Sequence, residues 1–300
     1  MLLDKKVAVV TGSGSGLGRA YALALARAGA SVVVNARTAS DVAKVVEEIE
    51  MVGGTAQGCV ISIASMEGAR QTIQTAIDKF GRIDILVNNA GILHKKVLAE
   101  MTEQDFDDVI ATNLKGTFAC TRHAVNYMIE QGWGRIINMA SGALFGAVEG
   151  TSYSASKGGI LSLTLTWAKE LYKYGITCNA MRASAHTQMT EPLIELARQA
   201  ALEQHKQPPT ALDLGQYEPE SAAPLVVFLA SDQAQWINGQ FISIDGSQLA
   251  ISACTDRVRS AIMTGGWTVE DLLKYFRTTV GIQLENFGRT PDGKRTLQNE

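Results

Sequence analysis

Residues 6–10, apolar from Val7 on, read as a strand and lead straight into Thr11-Gly12-Ser13-Gly14-Ser15-Gly16-Leu17-Gly18, after which Leu17, Ala20, Tyr21, Ala24 and Ala28 recur at helical spacing. This confines the fold severely: a strand must end in a tight glycine turn that opens a helix. Gly29 closes that helix, and 31–34, apolar from Val32 on, reads as a strand covered on both faces. The alternation continues. A helical pattern over 41–51 ends at Gly53-Gly54, and 55–61, 83–87, 135–139, 177–181 and 240–244 read as strands three to seven. Thr102, followed three residues on by Asp105, has the spacing of a capping box and starts a long helical stretch to 131, and a further helix spans 153–172. The predicted fold is α/β: a Rossmann-type, doubly wound sheet of seven parallel strands in one domain, residues 1–250. An insertion at 183–218, with a helix over 192–204, is predicted to be a substrate lid. Residues 251–300 are predicted to be a C-terminal helical extension in which Thr268 caps a helix presenting Val269, Leu272, Leu273 and Phe276.

Composition narrows the function classes. With 46% hydrophobic and 19% charged residues, 300 residues can bury a large core, which excludes disordered and collagen-like chains. Lys and Arg number 27 against 30 Asp and Glu, for a net charge of −3 without long runs of either sign, so no nucleic-acid partner is expected. The opening apolar run is far short of a signal peptide, and no stretch approaches the ~18 apolar residues of a membrane span. Cys59, Cys120, Cys178 and Cys254 lie too far apart for a disulfide scaffold or a zinc site. A cytoplasmic location, free thiols and no metal are the expectation.

Chemistry is concentrated at the carboxyl ends of the strands. Backbone N–H groups around Gly12, Ser15, Gly16 and Leu17 would face whatever sits in the first turn, and a diphosphate is the expected guest at such a helix N-terminus. At the end of the second strand, Asn35-Ala36-Arg37 offers no carboxylate for a ribose 2'-hydroxyl but does offer a guanidinium suited to a 2'-phosphate, favouring NADP(H), with NAD(H) as the alternative. Tyr153 and Lys157 stand four apart on one helix face. Bringing a phenol from its ordinary ~10 to neutrality takes about 4 kcal/mol, which an ammonium ~4 Å away at an effective dielectric of ~20 would supply. Ser141 precedes this pair at the end of strand five.

The glycine turn, Asn88-Asn89-Ala90-Gly91, Asn113, Ser141 and Tyr153-x3-Lys157 together make the chain similar to the short-chain dehydrogenase/reductase family over about residues 4–250. The resemblance implies Tyr153 as general acid/base, Ser141 as the partner of the substrate oxygen, and Lys157 as the group that lowers the phenol pKa and holds the nicotinamide ribose. It also implies Asn113 as anchor of a relay water, and Ser62, Ile63, Asn89, Ala90 and Gly91 as cofactor contacts. The implied activity is NAD(P)-dependent interconversion of a secondary alcohol and a ketone on an apolar small molecule, such as a 3-hydroxyacyl-CoA/3-oxoacyl thioester or a hydroxysteroid-like ring. Rival readings are an NAD-dependent dehydrogenase of a cyclic or aromatic alcohol and a non-catalytic nucleotide sensor or scaffold. Relatives suggest a homotetramer or homodimer formed through helices 102–131 and 153–172.

Three departures from the family pattern stand out. Ser141 is one residue nearer Tyr153 than usual, Ser62-Ile63 replaces Asp-Val, and 182–190 replaces a Pro-Gly segment. That last segment, with Gly91-Ile92-Leu93 and Gly239-Gln240-Phe241, resembles the (3R)-hydroxyacyl-CoA dehydrogenase part of peroxisomal multifunctional enzyme type 2. Lys95, Lys96 and Arg182 could meet CoA phosphates or simply face solvent. Leu193, Ile194, Leu196 and Leu202 fit a greasy substrate or ordinary helix packing equally.

Overall fold

A computed structural model describes residues 1–252 and 269–275. The chain separates into two compact units, 1–252 and 253–300. Within the second, one helix, Val269–Tyr275, is described; the expected cap Thr268, the side chains of Val269 and Leu273, Phe276, and Cys254 lie outside the described residues.

In the first unit the strands are β1 (Val7–Val10), β2 (Ser31–Ala36), β3 (Thr55–Val60), β4 (Ile85–Asn88), β5 (Gly134–Met139), β6 (Ile176–Ala183), β7 (Phe241–Asp245) and β8 (Gln248–Ser252). They form one sheet in the order β3-β2-β1-β4-β5-β6-β7-β8. The period-2 alternation of β1 divides the core. Ala8 and Val10 pack with Tyr21, Leu25, Val45 and Leu229 on one face, whereas Val7 and Val9 pack with Ile73, Cys120 and Met128 on the other. Strand order reverses between β1 and β4, so their carboxyl ends diverge and open the crevice in which ligands of such sheets sit.

The helices are α1 (Gly16–Arg27), α2 (Ala39–Met51), α3 (Met66–Phe80), α4 (Glu103–Val109), α5 (Gly116–Gln131), α6 (Thr151–Leu171), α7 (Glu191–Glu203) and α8 (Ala223–Ala230). Two of them, α3 and α8, fall where no element was expected. The signal for α3 is nevertheless in the sequence: Ser65 caps it by accepting from the Gly68 amide at 3.1 Å, and Ala69, Ile73 and Ala76 line its buried face. The long helix expected over 102–131 is three pieces. Thr102 and Asp105 form the capping box of α4, a π-turn over Ile110–Lys115 follows, and α5 completes the run.

The seven expected strands, β1 to β7, are present and parallel, and the sheet carries one more. An eighth strand, β8, doubles back antiparallel on β7, with Asp245 opposite Gln248 across a tight turn at Gly246. Among the described residues no helix is long and apolar enough to cross a membrane.

Candidate active site

Above the diverging ends of β1 and β4 lies a cleft of about 640 Å³, within the ~300–1,000 Å³ usual for small-molecule sites. Every residue expected from the sequence to touch cofactor or substrate, Asn113 excepted, lines it: Gly12, Ser15, Gly16, Leu17, Arg37, Ser62, Ile63, Asn89, Ala90, Gly91, Ser141, Tyr153 and Lys157.

The glycine turn is held from both sides. Asn89 donates its carboxamide to the carbonyls of Thr11 (2.9 Å) and Gly12 (3.0 Å), while the Thr11 hydroxyl accepts the amides of Asn89 and Ala90. Gly12 sits at φ +63°, and a Cβ there would stand 2.7 Å from the Ala90 Cα, so only glycine lets the turn lie against the end of β4. Ser15, at the N-cap of α1, makes no side-chain capping bond, and the first turn of α1 carries no acidic residue. The N-terminal amides of this 12-residue helix thus face the cleft without an internal anion, which fits the diphosphate of a dinucleotide.

At the end of β2, Asn35 turns away from the cleft, donating to the carbonyls of Cys59 (3.2 Å) and Ile61 (3.0 Å) and so tying β2 to β3. Arg37 is exposed, lines the cleft and makes no ion pair among the described residues; Asp41, from the first turn of α2, lines the same end. Ser62 turns its hydroxyl back to the Ala64 amide at 3.3 Å, and Ile63 is buried against the start of α5.

The reacting end is built on β5 and α6. Ser141 follows β5 and caps a short 3-10 turn, Gly142–Phe145, its oxygen accepting the Ala143 amide at 3.2 Å. Its own proton remains free for Tyr153, with which it is hydrogen-bonded. Tyr153 and Lys157 share one face of α6, as their spacing predicts, and the ammonium lies 5.3 Å from the phenol ring centroid. The electrostatics differ from the expectation drawn from that spacing. Burial pushes the Tyr153 phenol above its ordinary value, and the Ser141 hydrogen bond opposes this only in part. The Lys157 ammonium lies over the ring, held by the Met139 carbonyl at 2.6 Å. Burial in turn pushes Lys157 down to about 8.

Asn113 sits beneath the cleft, fully buried in the π-turn. Its carboxamide oxygen accepts the Ile92 amide at 2.8 Å, and its nitrogen donates to the Ile92 carbonyl (3.0 Å) and the Ser156 hydroxyl (3.2 Å). Its backbone carbonyl accepts the Thr117 hydroxyl at 2.7 Å. The side chain clamps the segment after β4 onto α6.

The insertion closes the other wall. His186 and Tyr217 pair its two ends at 2.8 Å, Thr187 stands over Gly16, and Gln188, Met189 and Gln216 line the cleft. The apolar residues of α7 do not line it: Ile194 is packed inside, while Leu193, Leu196 and Leu202 are exposed. Lys96 is paired with Asp105 at 2.9 Å. Gln216 and Thr187 carried no sequence signal, since only the folded insertion brings them over the strand ends.

The pattern of the short chain dehydrogenase family matches residues 6–196. Over 249 residues the chain is 39% identical to the 3-oxoacyl-(acyl-carrier-protein) reductase FabG of Thermotoga maritima, covering 82% of this chain and 98% of that one. It is 38% identical to the (2S)-((R)-hydroxy(phenyl)methyl)succinyl-CoA dehydrogenase subunit BbsD of Thauera aromatica, covering 83% and 98%. A crystal structure of a short chain dehydrogenase from Mycobacterium avium superposes with a TM-score of 0.80 at 35% identity, covering 94% of this chain and 96% of that one. These relatives do not carry the narrower resemblance to the peroxisomal multifunctional enzyme; several are named 3-oxoacyl-(acyl-carrier-protein) reductases.

Proposed function

The chain belongs to the short-chain dehydrogenase family and is an NAD(P)-dependent oxidoreductase acting between CH–OH and ketone; from that premise we propose that it reduces a 3-oxoacyl thioester with NADPH, Tyr153 giving the proton. The observation that carries this reading is the convergence of Ser141, Tyr153 and Lys157 on a cleft continuous with the glycine turn. The names of the relatives support the thioester. The unpaired Arg37 at the end of β2 supports the 2'-phosphate, against the single carboxylate of Asp41 at that end.

In this reading Ser141 and Tyr153 hold the ketone oxygen between their hydroxyls. Gly12, Ser15, Gly16 and Leu17 would hold a nicotinamide dinucleotide, which would supply the hydride for the carbonyl carbon. As that bond forms, Tyr153 passes its proton to the oxygen, leaving an alcohol and a phenolate. Lys157, charged below about 8, stabilises the phenolate from over the ring. The Asn113 carbonyl would hold the water through which the phenolate is reprotonated. The raised Tyr153 pKa suits this direction, because the resting phenol is already protonated at neutral pH. Assembly as a homodimer or homotetramer accompanies this reading, with Phe106 on α4 and Phe118 on α5 exposed on the helices through which it would form.

The test titrates NADPH and NADH by fluorescence and follows acetoacetyl-CoA reduction with the tighter one. Tighter NADPH binding, lost in Arg37→Ala, and a fall of at least about 10²-fold in Tyr153→Phe with nucleotide affinity unchanged are the expected results. Undiminished turnover in Tyr153→Phe defeats the mechanism, and tighter NADH binding assigns the ribose to Asp41.

A further inference from the structure

We propose that Arg182 is a specificity residue that selects substrates whose acyl group carries a free carboxylate close to the reacting ketone. The inference rests on the reading of the cleft as a ketone-reducing site and specifies which ketones enter it.

Arg182 occupies the end of β6, paired in register with Ser243 of β7. One end of its guanidinium is fixed: Nη2 donates to Asp245 Oδ2 at 3.0 Å, and the other carboxylate oxygen of Asp245 accepts the Ser184 amide at 2.8 Å. Nη1 has no partner among the described residues and lies 2.6 Å from where a Cβ on Gly142 would stand, so the fork rests against the backbone next to Ser141, an approach only glycine allows. Arg182, Gly142, Ser141 and Tyr153 all line the cleft, while Asp245 stands behind it. The side chain is 39% exposed, accessible yet oriented by its clamp.

Charge in the cleft makes the assignment specific. Its charged lining residues are Arg37, Asp41, Lys157 and Arg182. Arg37 and Asp41 belong to the adenosine end, and Lys157 is committed to Met139. Among the described residues lining the reacting end, Arg182 is therefore the cation with an open edge, its other edge being paired with Asp245, and no further carboxylate lines that end. A guanidinium with one edge held and one nitrogen free is suited to a planar carboxylate.

The experiment uses pairs of CoA thioesters of equal chain length. Adipyl-CoA and hexanoyl-CoA have no ketone and report binding alone by calorimetry; 3-oxoadipyl-CoA and 3-oxohexanoyl-CoA report turnover. The wild-type enzyme should bind adipyl-CoA at least about tenfold more tightly than hexanoyl-CoA, and Arg182→Gln should erase the difference. In turnover, Arg182→Gln should lower kcat/KM for 3-oxoadipyl-CoA by a similar factor, change 3-oxohexanoyl-CoA less than about threefold, and leave NADPH affinity unaltered. Equal losses on both thioesters would mean that Arg182 only ties β6 to β7, and a loss of NADPH affinity would assign it to the nucleotide; either overturns the proposal. So does a wild-type enzyme with no preference for adipyl-CoA, a comparison that needs no variant to fold. If the binding preference holds while neither 3-oxo thioester is reduced, Arg182 keeps its role and the reductase reading fails.

Discussion

Lys157→Met separates the electrostatic cost of the buried ammonium from its packing. The side chain is 4% exposed, and burial holds its pKa at about 8, against 10.5 for an unhindered lysine. Below pH 8 the folded and unfolded states both carry the proton, and the folded state bears the full desolvation cost, about 3 kcal/mol at ~1.4 kcal/mol per pH unit. As pH rises through 8 the folded state sheds the proton while the unfolded state keeps it until about 10.5. The unfolded state then binds more protons, so stability rises with pH. Between pH 7 and 10 the gain from this one group is about 2.5 kcal/mol. Methionine has similar length and no charge, so the variant lacks the gain but titrates identically elsewhere. It also loses the hydrogen bond to the Met139 carbonyl, worth ~1–3 kcal/mol, which at pH 7 largely cancels the relief from desolvation. Urea unfolding of both proteins, at matched concentration, across pH 7 to 10 gives the difference directly. The wild type should be within about 2 kcal/mol of Lys157→Met at pH 7 and gain ~2.5 kcal/mol on it by pH 10. A difference that stays flat across that range would show the ammonium to be solvated, and the burial argument would fall.

Other outcomes follow from the same geometry. Asn113→Ala strands the Ile92 amide, the Ile92 carbonyl and the Ser156 hydroxyl, and should cost about 2–4 kcal/mol, read as a thermal shift of roughly 5–10 °C; a shift under a degree would mean that the segment after β4 repacks freely. Gly12→Ala forces a Cβ to within 2.7 Å of Ala90 at φ +63°, and should destabilise the fold by about 1–3 kcal/mol and weaken nucleotide binding measured by fluorescence. Ketone reduction should fall as pH rises through about 8, where Lys157 loses its charge, and a pH profile unchanged to 10 would remove Lys157 from the proton step.

The sheet was legible because its signal is local. Short apolar runs mark β1 (Val7–Val10), β2 (Val32–Val34), β4 (Ile85–Val87) and β5 (Ile136–Ile137), and each run is buried, as in a strand covered by helices on both faces. β8 was not legible: its residues Gln248–Ser252 are mostly exposed, and it pairs on one side only, so neither alternation nor a continuous apolar run distinguishes it. The π-turn at Ile110–Lys115 was hidden for a different reason. The segment has an unbroken helical composition, and the departure is tied to long-range bonds from Asn113 to Ile92 and Ser156, 21 and 43 residues away. Residues at strand ends could be placed from motif spacing, whereas the pairing of Arg182 with Asp245 depends on β6 and β7 lying side by side across 63 residues of sequence.

Spacing alone also misjudged the site's electrostatics, and the correction bears on reaction direction. An i, i+4 pair places phenol and ammonium together, but burial of the pair moves Lys157 down to about 8 and Tyr153 up, so each neighbour is pushed toward its neutral form. Alcohol oxidation begins by taking a proton from the substrate, which requires a phenolate supported by an ammonium. With these shifts the ionised pair is disfavoured in the resting site, since burial opposes the charge on both groups. Reduction begins with both groups protonated, the dominant state below pH 8, and the alkoxide that forms at the carbonyl oxygen is a far stronger base than the phenolate left behind. Reduction should therefore reach its plateau below about 8, whereas oxidation should climb with pH without a plateau in the neutral range. An oxidation profile already level at pH 7 would mean that the phenolate is present at rest, and that the ammonium governs the phenol after all.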